Sequence, residues 1–284
     1  MSADAPGEGG DYVTDLVRQH DRDRYLSTLF APEDKRPALF ALYAFNVEVS
    51  RVREIVSEPL PGEMRLQYWR DLLHGDAMAF SGHPVAEALA RAIARYNWPR
   101  KALLDLIEAR TFDLYDDPMP SVADLEGYAG ETSSALMRLA SLALADGADP
   151  GGSDAVGHAG VAYALAGILR ALPWAVGRGQ VFLPVDLMNR HGLTRESLLA
   201  RQVGEPLRAV LADVRALARS HMDAARRAAE SAPPAVRMAM TPAALVEPYL
   251  AASERAASDP FRMAVDISPL RRIWTLWRAS RQAR

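Results

Sequence analysis

Carboxylates gather at three places in the sequence: Asp15, Asp21 and Asp23; Glu48, Glu54 and Glu58; and Asp113, Asp116 and Asp117. Acidic side chains about one helical turn apart can hold a hard divalent cation through oxygen, and such a cation steadies a departing anionic group. The second and third clusters also have a plainer reading. Arg51 stands at three-residue steps from both Glu48 and Glu54, so ion pairs along one helix would neutralise all three without a ligand. Asp116-Asp117-Pro118 reads as a helix end running into a turn. The histidines, His20, His74, His83, His158, His191 and His221, show no ligand spacing and are expected at the surface or in packing.

The common templates fail. No GxxxxGK[ST] phosphate loop, GxGxxG turn, HExxH pair or GxSxG elbow occurs. With Cys 0 there is no disulfide, thiolate metal site, iron-sulfur cluster or cysteine nucleophile.

The elements that must position these groups are helical. Leu39, Leu42, Tyr43 and Val47, and again Ala86, Leu89, Ala90 and Ile93, recur at three- and four-residue steps, and strand-like alternation is nearly absent. Prolines and glycines, among them Pro59, Pro84, Pro99, Pro150, Pro173, Pro206, Pro234 and Pro269, separate the amphipathic runs into about ten helices. Ser121 and Thr194 read as helix N-caps, and Ser153-Asp154 as the start of the helix through Tyr163. The expected class is all-α, in a single helical domain over residues 12–284 behind a loose, disordered tail at 1–11.

At 284 residues and 49% hydrophobic, the chain buries a full core, and its 33 Lys+Arg against 36 Asp+Glu create no global field for nucleic acid. The start, acidic and rich in small residues, lacks the early Lys/Arg of a secretory or mitochondrial leader, which with the absent cysteines fits a cytoplasmic setting. The weakly polar stretches 135–145 and 159–169 each fall short of the ~20 residues of a membrane span, so no transmembrane helix is expected.

Several phrases, taken in order, resemble a known family: Arg36 to Phe45, Leu125-Glu126-Gly127-Tyr128, Ala166-Gly167-Ile168-Leu169-Arg170, and Gly177 to Pro184. They are similar to the squalene/phytoene synthases. The resemblance runs from about Asp21 to Ala229 and implies an isoprenoid-synthase bundle that joins two prenyl diphosphates head to head. It also implies two aspartate-rich motifs that hold Mg²⁺ against the diphosphate. Carried over residue by residue, the first motif falls on Ser50, Arg51 and Glu54, where one acid remains. The second falls on Ala171, Trp174 and Ala175, where none does, and residues 155–185 hold no Asp or Glu at all. Methyl groups and an indole cannot ligate Mg²⁺.

Tyr128 to Leu136, Leu169 to Pro173 and Gln180 to Asp186 resemble more narrowly the branch of that family containing the mitochondrial respiratory complex I assembly factor. That likeness implies a non-catalytic scaffold with no cofactor, whose partner is a respiratory-complex subunit or another protein client. The alternatives are a prenyltransferase using Mg²⁺, with ligands recruited from Asp113, Asp116 and Asp117, and an isoprenoid- or lipid-binding protein. Glu48, Arg51, Arg53, Glu54, Tyr163, Arg170 and Arg178 are the expected lining of the degenerate cavity, where guanidinium groups suit an anion. The plainer reading pairs Arg51 with its glutamates, leaves Arg170 and Arg178 in solvent or on helix-end carbonyls, and uses Tyr163 and Trp174 for packing.

The segment 271–284 has five arginines, two tryptophans and no acid. As a helix it places Ile273, Leu276 and Trp277 on one face with Trp274 beside it, and Arg271, Arg278 and Arg281 within reach of headgroup phosphates. Trp274, Trp277, Arg278 and Arg281 are therefore the expected contact with an anionic membrane, peripheral on the inner membrane. A terminal helix docked on the bundle fits the same pattern.

Overall fold

A computed structural model describes residues 8–56, 58–75 and 82–284, and among them it contains helices and turns but no strand. The first half comprises α1 (Glu8–His20), α2 (Arg22–Leu29), α3 (Arg36–Ser50), α4 (Val52–Ile55), α5 (Pro59–His74), α6 (Pro84–Tyr96), α7 (Arg100–Thr111), α8 (Val122–Ala129) and α9 (Ala135–Leu144). The second comprises α10 (Ser153–Gly177), α11 (Val185–Arg190), α12 (Arg195–Leu199), α13 (Glu205–Ala229), α14 (Pro234–Ala239), α15 (Val246–Arg255) and α16 (Pro269–Ala283). Residues 1–7 of the expected tail lie outside the described residues, while Glu8 to Asp11 belong to α1.

The expected all-α class is observed, in more pieces than the prolines announced. Pro59, Pro206, Pro234 and Pro269 sit at the starts of their helices, where a missing N–H costs nothing, and mark starts more than separations. Pro173 does not end a helix, because α10 continues through it to Gly177. Ser121 and Thr194 do cap α8 and α12, each accepting a backbone N–H at 3.1 Å.

Two apolar cores hold the bundle. One joins α1, α3, α5, α6, α7 and α9 through residues such as Val17, Leu42, Phe45, Leu66, Leu89 and Leu106. The other surrounds α10 and gathers its Ala159 and Leu165 into one buried cluster with Val210 and Val214 of α13, Leu250 of α15 and Leu276 of α16. Each fully buried leucine contributes about 1.5–3 kcal/mol relative to exposure. Helix α10, at 25 residues, is long and apolar enough to cross a membrane by length and composition, because it extends on both sides of the stretch 159–169. Its neighbours instead make it the central helix of the second core.

Between α8 and α9 the chain forms a π-helical turn, Gly130–Ser134. Helix α10 crosses this turn at Gly160, where a Cβ would lie 2.3 Å from the Ser134 Cα, so only glycine permits the approach. The Ser134 hydroxyl donates to the Gly157 carbonyl at 2.7 Å and fixes the crossing.

Candidate functional site

Gly130-Glu131-Thr132-Ser133-Ser134 contains no strong helix former except Glu131, and there the backbone ladder widens to the i→i+5 pattern that often accompanies a site. The turn brings Thr132 and Ser133 to a cavity of about 510 Å³. Helix α10 supplies one wall through Tyr163, Gly167, Ile168, Ala171, Trp174 and Ala175, which recur at helical spacing along one face. Ser50 at the end of α3 and Arg53 and Glu54 on α4 supply another. Arg24 of α2, Arg110 of α7, Asp113, Tyr128 of α8, Arg178, Gln180 and Phe182 complete the lining.

Ser50, Glu54, Ala171, Trp174 and Ala175 thus share one cavity, although they come from distant stretches of sequence. Of the expected lining, Arg53, Glu54, Tyr163 and Arg178 are present; Glu48, Arg51 and Arg170 are not. The chain leaves helical geometry at Arg51 (φ −98°, ψ 5°), so Glu48 and Glu54 do not lie on one continuous helix. Arg51 pairs with Glu54 at 2.7 Å, and no ion pair among the described residues joins it to Glu48. Arg170 turns aside to stack over the Tyr249 ring at 3.9 Å and to pair with Asp23 at 3.3 Å.

Four arginines, Arg24, Arg53, Arg110 and Arg178, line the cavity against two carboxylates, Glu54 and Asp113. Both acids are engaged: Glu54 by Arg51 and by Arg178 at 3.4 Å, and Asp113 by Arg110 at 3.0 Å and by the Tyr128 hydroxyl at 2.7 Å. Burial pushes the Asp113 carboxyl above its ordinary range despite the opposing pull of Arg110. Burial likewise raises the Tyr128 and Tyr163 phenols well above theirs, so both remain hydroxyl donors. At Arg24 burial opposes the cation, but Asp21, hydrogen-bonded at 2.7 Å, and the flanking Tyr163 and Tyr43 rings hold its pKa above the ordinary value.

Among the described residues no group of three or more His, Asp or Glu is placed to hold a metal ion. Asp116 faces Arg53 at 3.3 Å, and neither it nor Asp117 lines the cavity, so the acids considered as recruited ligands do not converge. The arrangement presents guanidinium forks and hydroxyls, which match the oxygens of a phosphate-type anion.

Sequence reasoning missed the centre of the polar network. Asp23 is buried on α2 and accepts the Tyr249 hydroxyl at 2.7 and 2.9 Å, the Tyr163 hydroxyl at 3.4 Å, and the guanidinium groups of Arg170 and Arg272. Its partners lie 140 or more positions away, so no local spacing reveals it. Arg24, Arg110 and Tyr128 were missed as well, although Arg24 pairs with Asp21 and Arg110 with Asp113 at three-residue steps. Two histidines that look isolated in sequence also meet: His158 Nδ1 and His221 Nδ1 are 2.9 Å apart, and the other ring nitrogen of His221 contacts Glu126 at 2.6 Å.

Helix α16 divides differently from its pattern. Arg272, Leu276 and Ser280 face the bundle, while Leu270, Ile273, Trp274, Trp277, Arg278 and Arg281 remain exposed, so Leu276 does not share a surface with Ile273 and Trp277.

Comparison with known proteins places this geometry among relatives. A squalene/phytoene synthase family profile matches residues 17–278. The chain is 32% identical over 263 residues to the Homo sapiens NADH dehydrogenase (ubiquinone) complex I, assembly factor 6, covering 92% of this chain and 79% of that one. It is 31% identical over 212 residues to phytoene synthase of Thermus thermophilus, covering 72% and 69%. Among solved structures, a squalene synthase from Alicyclobacillus acidocaldarius superposes with a TM-score of 0.76 at 24% identity, over 89% of this chain and 95% of that one. A dehydrosqualene synthase in complex with ligand gives 0.79 at 18%, over 96% of each.

Proposed function

The chain belongs to the squalene/phytoene synthase family, and from that membership we propose that it is a non-catalytic member acting in the assembly of respiratory complex I. The observation that carries this reading is the cavity wall: Ser50, Ala171, Trp174 and Ala175 stand where the family resemblance calls for acids, and Glu54 is already paired. Head-to-head condensation requires the diphosphate charge to be stabilised as it departs, and this wall offers too few hard oxygen donors for the cations that would do so. The names of its relatives in animals support the assembly role. Its partner in this reading is a complex I component, and its place of action the membrane where that complex is built.

A second reading is favoured by the four cavity arginines. They suit an amphiphile with an anionic head, such as an isoprenoid or lipid phosphate, bound without a divalent cation.

Deleting the gene in its native host tests the first reading: assembled complex I should fall while isoprenoid products stay unchanged, and the reverse phenotype would overturn it. In parallel, the purified protein incubated with farnesyl diphosphate and Mg²⁺ should release no diphosphate above background. Chelator-sensitive turnover would restore the synthase reading.

A further inference from the structure

We infer that the outer face of α16 is a preformed docking surface for an anionic phospholipid bilayer. Leu270 and Trp274 are 81% and 62% exposed, and with Ile273, Trp277, Phe30 and Arg271 they line one shallow, mostly apolar depression of about 510 Å³. The two indoles lie against each other with ring centroids 4.9 Å apart. An indole has an apolar body and a polar N–H, the combination that settles at a membrane interface.

Charge selects the occupant. Arg271 and Arg278, about two turns apart, line the neighbouring stripe of the helix and, with Arg226 of α13, border a groove of about 430 Å³ beside Trp274. Arg281 lies one turn beyond Trp277 on the apolar stripe itself, where an arginine reaches outward along an apolar surface to a headgroup. Residues 269–284 include no Asp or Glu. A second copy of this chain would oppose arginines to arginines across a two-fold axis, so the patch is not self-complementary. A layer of lipid phosphates satisfies the cations and receives the indoles together.

The surface is rigid before binding. On its inner face α16 is held by Leu276 in the core and by buried Arg272, which contacts Asp23 at 2.8 Å and Asp266 at 2.6 Å. Docking therefore requires no ordering of the helix, unlike an interfacial peptide that folds on the membrane. This inference does not depend on the assembly role.

Flotation of the full-length protein with vesicles of phosphatidylcholine, with and without phosphatidylglycerol, tests it. The protein should float with the anionic vesicles alone, release as salt is raised, and shift its tryptophan emission to the blue on binding. Trp274→Ala with Trp277→Ala should abolish flotation. Arg278→Ala with Arg281→Ala should lower partitioning by roughly fivefold per arginine. All four residues are exposed, so unchanged thermal melts by circular dichroism will confirm that the variants fold. No flotation, equal flotation with neutral vesicles, binding indifferent to both double variants, or a dimer that the tryptophan variant abolishes would each overturn the inference.

Discussion

The Asp23 carboxylate of α2 and the Arg272 guanidinium of α16 meet at 2.8 Å, each side chain only 5% exposed, and join the two ends of the chain across the bundle. The same carboxylate receives Tyr249, Tyr163 and Arg170, so the wall of the cavity and the terminal helix share one buried anion. Removing one partner of a buried pair is far more costly than the net worth of the pair, because the other charge stays desolvated. Asp23→Ala should lose about 3–5 kcal/mol in urea unfolding. Asp23→Asn, which keeps the acceptor for Tyr249, should lose less. Equal and small losses in the two variants would mean that water reaches this carboxylate.

Two glycines on α10 should respond in opposite ways. At Gly160 an added Cβ would lie 2.3 Å from the Ser134 Cα and 2.5 Å from its backbone nitrogen, and backbone cannot rotate aside. Gly160→Ala should destabilise by about 3 kcal/mol or more. Gly167 lines the cavity with nothing within 4 Å of such a Cβ, so Gly167→Ala should gain up to about 1 kcal/mol of helix propensity. Denaturant titrations of the pair check this, and parallel effects would place the π-helical turn elsewhere.

Helical spacing and resemblance located the bundle and the two facing motif stretches, because both are local patterns. Ser50, Glu54, Ala171 and Ala175 could be matched by counting along the chain, and they do share a cavity. Orientation is not local. The break at Arg51 sends that side chain to Glu54 and away from Glu48, and the turn of Arg170 toward Tyr249 depends on a helix some eighty positions further on. Asp23 was visible only as one acid among three. The Thr132-Ser133 stretch was legible as a phrase of the family, but its π-helical geometry and its close crossing with Gly160 are not encoded in sequence spacing.

The pairing of α13 with α15 gives a pH dependence. The Arg219 guanidinium, bonded to Glu254 at 2.6 Å and to Glu247 at 2.9 and 3.1 Å, holds the Glu254 carboxyl below its ordinary range. A carboxyl whose pKa is depressed on folding binds protons less tightly when folded. Its contribution is therefore complete above the unfolded pKa and is lost as pH falls through the folded one. Arg219→Ala should cost under about 1 kcal/mol at neutral pH, since the glutamates are nearly half exposed. That difference should shrink as the pH drops below the glutamate range. A difference constant with pH would mean that Arg219 acts by packing its stem.

Placing acids on the cavity wall tests the proposal that this wall is a lost metal site. Ala171 and Ala175 lie one turn apart on the same face of α10, so Ala171→Asp with Ala175→Asp sets two carboxylates side by side across from Glu54. Without a cation they repel, and burial at position 175 adds a desolvation cost, so the double variant should melt lower than the parent in chelator. Magnesium binds the folded state alone and should recover much of that loss as its concentration rises, following the linkage between ligand concentration and stability. The parent chain, whose Glu54 and Asp113 are both engaged by arginine, should melt at the same temperature with Mg²⁺ or chelator. A parent that Mg²⁺ stabilises as strongly as the variant would show that its existing oxygens suffice, and the assignment of this wall as a lost metal site would fall with it.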